Sequence, residues 1–200
     1  MIDRRGAGGS RIEKAFADLN GHWAKAEIES MASKLLVNGV NADSYAPGKA
    51  ITRAEFTAML VRAMGFSPVI ESGAFKDVQD DSAYAGEIGA ASCYGLMEGG
   101  TGCAYSPNVG MTRAEMAVMI TRAMEAVNPT GLSNQEANAD AGFKDQASIP
   151  TWAAVHVARL AKQGIVQGDN HGNFAAFDSV TRAQAALVLK RTLFQLKFMD

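Results

Sequence analysis

Thr52-Arg53-Ala54-Glu55 is the first of three near-identical tetrapeptides; the others are Thr112-Arg113-Ala114-Glu115 and Thr181-Arg182-Ala183-Gln184. Each one begins a segment in which apolar residues recur with helical spacing. In each, a threonine stands three residues before a Glu or Gln, which is the spacing of a helix capping box. The threonine oxygen accepts a first-turn N–H group, and the Glu or Gln reaches back to the threonine N–H. The tetrapeptides therefore predict three helix starts.

The arginine of each tetrapeptide is not explained by capping. A cation in the first turn of a helix opposes the positive end of the helix dipole. Three arginines in register therefore predict an anionic partner. That partner is either an external anion or a carboxylate of the protein itself, such as an Asp from a neighbouring loop, and the two are compatible because an ion pair can orient an arginine.

The tetrapeptides belong to a threefold internal repeat. A glycine lies 13 residues before each threonine and an aromatic residue lies 7 before it; these are Gly39, Gly99 and Gly168, and Tyr45, Tyr105 and Phe174. Further upstream, a phenylalanine stands two residues before an aspartate, in the pairs Phe16/Asp18, Phe75/Asp77 and Phe143/Asp145. Trp23 and Trp152 both lie 29 residues before their threonine, where the second repeat has Ala83 followed by Tyr84.

Each repeat is interpreted as an opening loop, a helix of three to four turns, a glycine-centred loop and a capped second helix. The glycines suit the left-handed residue that closes the first helix. The predicted segments are a lead-in at 1–15, repeats at 16–66, 75–127 and 143–196, and linkers at 67–74 and 128–142. A two-helix unit cannot bury its apolar stripes alone. The sequence therefore predicts an all-α fold, either one pseudo-threefold domain around a shared helical core or a short solenoid.

Composition excludes several classes of function. A net charge of −2 provides no general basic field for nucleic acid, and no apolar run is long enough to span a bilayer. The N-terminus lacks the apolar core of a signal peptide, so the chain is either cytoplasmic or a piece of an exported protein. Cys93 and Cys103 are interpreted as half-buried thiols in preference to a disulfide pair. No histidine recurs through the repeats, so no catalytic residue, metal site or cofactor is predicted.

The combination of Phe-x-Asp, His22-Trp23-Ala24, the glycine loop, aromatic-x-Pro and Thr-Arg-Ala-Glu resembles the S-layer homology module. The resemblance covers nearly the whole chain, from Phe16 to about Leu196. It implies a three-pronged domain with grooves between neighbouring repeats. It also implies a non-covalent, extracellular cell-wall anchor whose ligand is a peptidoglycan-linked secondary cell-wall polysaccharide bearing pyruvylated N-acetylmannosamine. Any catalytic activity would belong to another part of the parent protein.

The resemblance also implies which residues line the grooves. They are Arg53, Arg113 and Arg182; Asp18, Asp77 and Asp145; and Trp23 and Trp152, with Tyr84 as a substitute in the second repeat. An arginine can bind the pyruvate carboxylate with two parallel N–H bonds, assisted by free N–H groups at the helix start. The aspartates are equally interpretable as turn or cap residues, the tryptophans as core, and Gly39, Gly99 and Gly168 as backbone positions with close approach to a ligand as a secondary role.

Three departures from the repeat predict unequal grooves. Ala83 lacks the aromatic ring of its counterparts, Leu35 stands where the other repeats have Gly95 and Gly164, and Gln184 removes a charge near Arg182. Leu35 predicts a differently shaped loop in the first repeat. The alternative function is a structural module that binds protein or assembles with itself in a surface layer, which requires an apolar stripe in excess of the core's needs.

Overall fold

A computed structural model describes residues 14–70, 75–97, 104–129 and 140–199, so Gly99 and Cys103 lie outside the described residues. Within these ranges the chain forms six α-helices: α1 (Lys25–Ser33), α2 (Arg53–Ala63), α3 (Ala85–Cys93), α4 (Arg113–Val127), α5 (Thr151–Lys162) and α6 (Arg182–Gln195). The described ranges contain isolated β-bridges but no strand. The prediction of an all-α fold of three helix-loop-helix repeats is confirmed.

All three predicted capping boxes form. Thr52 accepts the Glu55 N–H at 3.2 Å, and the Glu55 carboxylate accepts the Thr52 N–H at 2.9 Å. The Thr112/Glu115 and Thr181/Gln184 pairs repeat both bonds. Gln184 therefore preserves the cap although it lacks the charge, because an amide oxygen also accepts a hydrogen bond.

The helices pack between repeats in a cyclic order. The first helix of one repeat lies against the second helix of the repeat before it: α3 against α2, α5 against α4, and α1 against α6. The last of these contacts joins the first repeat to the third. A solenoid leaves its terminal repeats apart, so the closed order selects the pseudo-threefold domain over the short solenoid.

Backbone hydrogen bonds close the same ring at its centre. Ile51 N–H donates to Val180, Val180 N–H donates to Met111, and Met111 N–H donates to Ile51, each at 2.9 Å. All three residues are fully buried. Their backbone polar groups therefore need partners inside the protein, and only the assembled ring supplies them.

Apolar residues three positions apart on the first helix of a repeat are buried, as helical spacing predicts; examples are Ile28/Met31 and Val157/Leu160. The loop aromatics Tyr45, Tyr105 and Phe174 are also buried, and each ring packs against the phenylalanine of its own opening loop at centroid distances of 5.2–5.5 Å. The opening loop and the glycine loop of each repeat therefore share one small aromatic core.

The prediction of a different loop shape at Leu35 is wrong. Leu35 has φ 60°, close to the 66° of Gly95 and the 70° of Gly164. In each repeat the next residue donates its N–H to a carbonyl five residues earlier, such as Leu36 to Met31 at 3.0 Å. This bond is the signature of a Schellman closure. Leu35 thus adopts the glycine conformation and bears its strain.

The predicted role of Gly39 and Gly168 as left-handed helix ends is also wrong, because neither has positive φ. A Cβ on Gly39 would lie 2.5 Å from the carbonyl oxygens of Asn41 and Ser44 and 2.6 Å from the Phe16 ring. A Cβ on Gly168 would lie 3.1 Å from the Asn173 carbonyl oxygen. Gly39 therefore needs glycine because the loop folds tightly onto itself, whereas a Cβ on Gly168 would require its neighbours to move by a few tenths of an ångström.

Candidate binding grooves between the repeats

Each tetrapeptide arginine contacts the loop of the following repeat. The Nε groups of Arg53, Arg113 and Arg182 donate to the carbonyl oxygens of Tyr105, Phe174 and Tyr45, at 2.9, 2.6 and 2.9 Å. Each guanidinium also lies over the ring of that same residue, with its Cζ 4.7–5.1 Å from the ring centroid. Cation–π contact and hydrogen bonding therefore tie each arginine to the next repeat around the ring.

The free N–H groups expected at the helix starts are engaged within the protein, so that part of the prediction is wrong. Arg53 N–H donates to Val109 and Ala54 N–H donates to Pro107, at 2.9 and 3.0 Å. The third N–H, that of Glu55, donates to the Thr52 cap. The other two helices repeat this pattern, with acceptors supplied by the next repeat's loop. No anion site of free amides remains there.

Two arginines have a carboxylate partner that the sequence analysis did not name. Arg53 pairs with Glu115, and Arg182 Nη1 lies 3.5 Å from Glu55 Oε1. The partner is thus the capping Glu of the next tetrapeptide, not an aspartate of an opening loop. The equivalent residue of the third tetrapeptide is Gln184, which has no charge, and Arg113 Nη2 instead donates to the Gln167 carbonyl at 2.8 Å.

The opening-loop aspartates hold the loop turns. Asp77 accepts the N–H groups of Tyr105 and Ser106, both at 2.7 Å, and Ser106 is left-handed with φ 59°. Asp18 and Asp145 bind the equivalent N–H groups in their own repeats. Burial raises the pKa of Asp18 and Asp77, but the accepted N–H bonds outweigh burial and hold both pKa values below the ordinary value. A ligand role for the three aspartates stays a prediction.

A cavity of about 500 Å³, the α2 cavity, lies where all three repeats meet. The first repeat supplies Gly39, Lys49, Glu55 and Arg62, the second supplies Ala83 and Tyr84, and the third supplies Arg182. Arg62 donates to Glu87 at 2.7 Å, which ties α2 to α3 beside the cavity. The predicted residues Arg182, Gly39 and Tyr84 are thus brought together.

A second cavity of about 250 Å³, the α4 cavity, occupies the equivalent junction one repeat further on. Its lining includes Arg53, Glu115, Arg122 and Trp152, which correspond to Arg182, Glu55, Arg62 and Ala83 of the α2 cavity. Neither cavity's lining contains Asp18, Asp77 or Asp145. Arg113, Trp23 and Gly168 belong to the third junction by their repeat positions and line neither cavity.

Both tryptophans are exposed, so the interpretation of these residues as core is wrong. Trp23, two residues before α1, is 61% accessible, and Trp152, the second residue of α5, is 56% accessible. Cys93 is exposed rather than half-buried. An exposed indole at the edge of a groove offers a flat apolar face with an N–H donor.

Sequence reasoning missed Arg62 and Arg122, which are absent from the predicted groove residues. Both line the cavities, together with Lys49. The available signal was the separation of Arg62 from Glu55, and of Arg122 from Glu115, by seven residues. Two helical turns place such residues on one face.

Within the described ranges, no helix combines the length and the apolar content needed to cross a membrane. The same ranges contain no group of three or more His, Cys, Asp or Glu residues arranged to hold a metal ion.

Comparison with known proteins gives a consistent result. Residues 15–57, 74–117 and 142–186 each match the S-layer homology domain. The chain is 40% identical over 177 residues to an amylopullulanase of Thermoanaerobacterium thermosulfurigenes, covering 88% of this chain and 9% of that protein. It is 39% identical over 175 residues to the exoglucanase XynX of Acetivibrio thermocellus, covering 87% of this chain and 16% of that protein. A surface-layer 125 kDa protein of Lysinibacillus sphaericus is 26% identical over 174 residues, covering 86% of this chain and 14% of that protein.

The chain thus spans less than a fifth of the length of each of these relatives. Each of the three matched segments contains one of the three tetrapeptides. Together the segments cover more than half of the chain. The protein therefore belongs to the S-layer homology domain family and carries three tandem copies of that domain.

Proposed function

We propose that this domain is a non-covalent cell-wall anchor that binds an anionic secondary cell-wall polysaccharide in the grooves between its repeats. The observation that carries the proposal is the repeated composition of the two cavities. Each combines the tetrapeptide arginine of one repeat, a second arginine two helical turns after the capping Glu of the next repeat, and an aromatic residue or its substitute. Cations beside an aromatic face suit an acidic sugar.

Local recognition is needed because the chain carries a net charge of −2. A negatively charged domain gains little from long-range attraction to an anionic polymer. The ligand we propose is a polymer of the pyruvylated N-acetylmannosamine type, whose ketal carboxylate is fixed on a rigid sugar. Extracellular location at the cell surface follows from this role and agrees with the surface-layer protein among the relatives.

The domain itself is proposed to be non-catalytic. Two relatives are named as glycan-degrading enzymes, and this chain aligns with only 9% and 16% of their lengths. A parent protein that carries such an activity, with this domain as its attachment to the wall, is the arrangement we propose.

Co-sedimentation with purified Gram-positive cell walls tests the anchor. The domain should pellet with intact walls and stay in solution when the secondary polymer has been removed by acid. Walls that lack only the pyruvate group should bind much less. Pelleting that persists after acid extraction would contradict the proposal.

The alternative is a module that assembles with itself in a surface layer. One observation favours it: Phe194 and Phe198, near the end of α6, are 64% and 54% accessible. Sedimentation velocity separates the two functions, because self-assembly predicts a sedimentation coefficient that rises with protein concentration. A concentration-independent monomer that binds walls supports the anchor alone.

A further inference from the structure

The three junctions differ in charge at one structurally equivalent position, three residues before each tetrapeptide threonine. This position is Lys49 in the first repeat, Val109 in the second and Asp178 in the third. The backbone carbonyl of each accepts the N–H of the preceding repeat's arginine: Lys49 from Arg182, Val109 from Arg53 and Asp178 from Arg113. A cation, a neutral residue and an anion therefore stand at the same place in three otherwise similar junctions.

The lysine is the most accessible cation of the α2 cavity. Its Nζ lies 3.8 Å from Glu55 Oε1, and its side chain is 55% exposed. Arg182, which shares Glu55, has a side chain only 6% exposed and donates to the carbonyls of Tyr45 and Asn38 at 2.9 and 2.6 Å. Arg182 is thus held inside the wall of the cavity, whereas more than half of the Lys49 side chain is accessible to solvent.

The other two junctions have no cation at this position. In the α4 cavity the charged lining residues are Arg53, Arg122 and Glu115, whereas the α2 cavity contains Lys49, Arg62, Arg182 and Glu55. At the third junction Asp178 lies near enough to Arg113 to favour its charged form against the effect of burial. A cavity of about 420 Å³ between α6 and α1 has Lys190, Arg191 and Glu27 as its charged lining residues. The lining of the α2 cavity is therefore more positive than that of either other cavity, because it has three cations and one anion.

We propose that the α2 cavity is the principal site for the anionic sugar residue of the polymer and that Lys49 is the residue that selects it. This inference rests on the proposed function and assigns the ligand to one junction of the three. Lys49 and Arg62 contact the anionic group, and Tyr84 contacts the sugar face. Arg182 is a positioning residue that orients Glu55 and the loop around Gly39. The volume of about 500 Å³, twice that of the α4 cavity, lies within the range usual for small-molecule sites.

Titration calorimetry with purified polymer fragments tests the choice of site. Lys49→Gln should weaken binding about tenfold at low ionic strength, as one charge-assisted contact of roughly 1.4 kcal/mol would. The control is Lys162→Gln at the exposed end of α5, which removes the same charge away from both cavities and should leave the affinity unchanged. If Lys49→Gln binds the fragments as tightly as Lys162→Gln and the wild type do, the inference is overturned. The proposed function would still stand, because the wild type would still bind the polymer.

Transfer of the lysine provides the complementary test. Val109→Lys places the cation at the α4 cavity and should raise the stoichiometry from one fragment per domain toward two. In the Lys49→Gln/Val109→Lys double variant, affinity should recover toward the wild-type value with a stoichiometry near one. A double variant that stays as weak as Lys49→Gln would contradict selection by this position.

The tryptophans report which junction is occupied. Trp152 lines the α4 cavity, and the lining of the α2 cavity has no tryptophan. The Trp23→Phe variant, whose only tryptophan is Trp152, should therefore bind fragments without a change in its fluorescence emission. Adding Val109→Lys should make Trp152 emission respond to the ligand. A Trp152 response without that substitution would place the ligand in the α4 cavity and overturn the inference. Failure of every variant, wild type included, to bind any fragment would instead count against the proposed function.

Discussion

A single residue, Leu35, shows how the backbone of a repeat overrides local preference. Its left-handed conformation is set by the Schellman closure that Gly95 and Gly164 complete without strain. Its side chain is 60% exposed, so little packing offsets the strain. The first repeat thus keeps the shape of its counterparts at the expense of stability.

Leu35→Gly should stabilise the domain by roughly 0.5–1 kcal/mol, because relief of the left-handed strain exceeds the added freedom of glycine in the unfolded chain. Gly95→Ala is the reciprocal variant. A Cβ at Gly95 meets nothing within 4 Å, so its expected loss of about 1 kcal/mol reflects φ alone. Urea unfolding measures both changes, and a destabilised Leu35→Gly would contradict this account.

Gly39→Ala should destabilise by roughly 1–3 kcal/mol, because the new methyl group overlaps two backbone oxygens that cannot move independently. Gly48→Ala is the matched control in the same loop: a Cβ there meets nothing within 4 Å and φ is not positive. Thermal unfolding of the two variants separates steric exclusion from loss of glycine's freedom. Similar melting temperatures would show that the loop can relax around Gly39.

At the scale of the element, each repeat is held by its aspartate and its loop aromatic. The carboxylate binds two consecutive N–H groups, one of which belongs to a left-handed non-glycine residue: Ala46, Ser106 or Ala175. The bonds to an ionised acceptor stabilise a turn that is otherwise strained. The aromatic beside it then forms the platform for the arginine of the preceding repeat.

This arrangement predicts an acid-sensitive stability. The folded pKa of Asp18 and Asp77 lies below the ordinary value of 3.8. Their contribution is therefore present above the unfolded pKa and is lost as the pH falls through the folded pKa. The melting temperature of Asp77→Asn should lie below that of the wild type at pH 7, and the difference should shrink as the pH falls below about 4. A difference independent of pH would show that the carboxylate charge is not the stabilising feature.

At the scale of the whole molecule, the domain is a ring closed by contacts between its first and third repeats. These contacts include α1 against α6, the Ile51–Val180 backbone bond, and the Arg182 interactions with Tyr45 and Glu55. Each cavity draws residues from all three repeats. Binding and folding are therefore expected to require the complete ring.

Arg182→Ala should lower the free energy of unfolding by about 3 kcal/mol, because it removes the buried ion pair with Glu55 and the donor to the Tyr45 and Asn38 carbonyls. Trp23 reports the first repeat and Trp152 the third, so single-tryptophan variants can follow each separately. Their unfolding midpoints should coincide and shift together. A shift confined to the Trp152 signal would contradict a cooperative ring. Lost wall binding with unchanged stability would identify Arg182 as a direct ligand contact and would contradict its role as a positioning residue.

The sequence by itself determined the repeat, the three capping boxes, the all-α class and the buried apolar pairs. All of these depend on residues a few positions apart, whose relation follows from helical geometry. Only the tertiary structure decided what the three arginines contact, where the helix-start N–H groups donate, and why Gly39 has no side chain. Those answers depend on groups from other repeats, up to 144 residues away for Arg182 and Asn38. A repeated sequence shows equivalent residues but not which neighbour each one meets, and ring closure makes that choice.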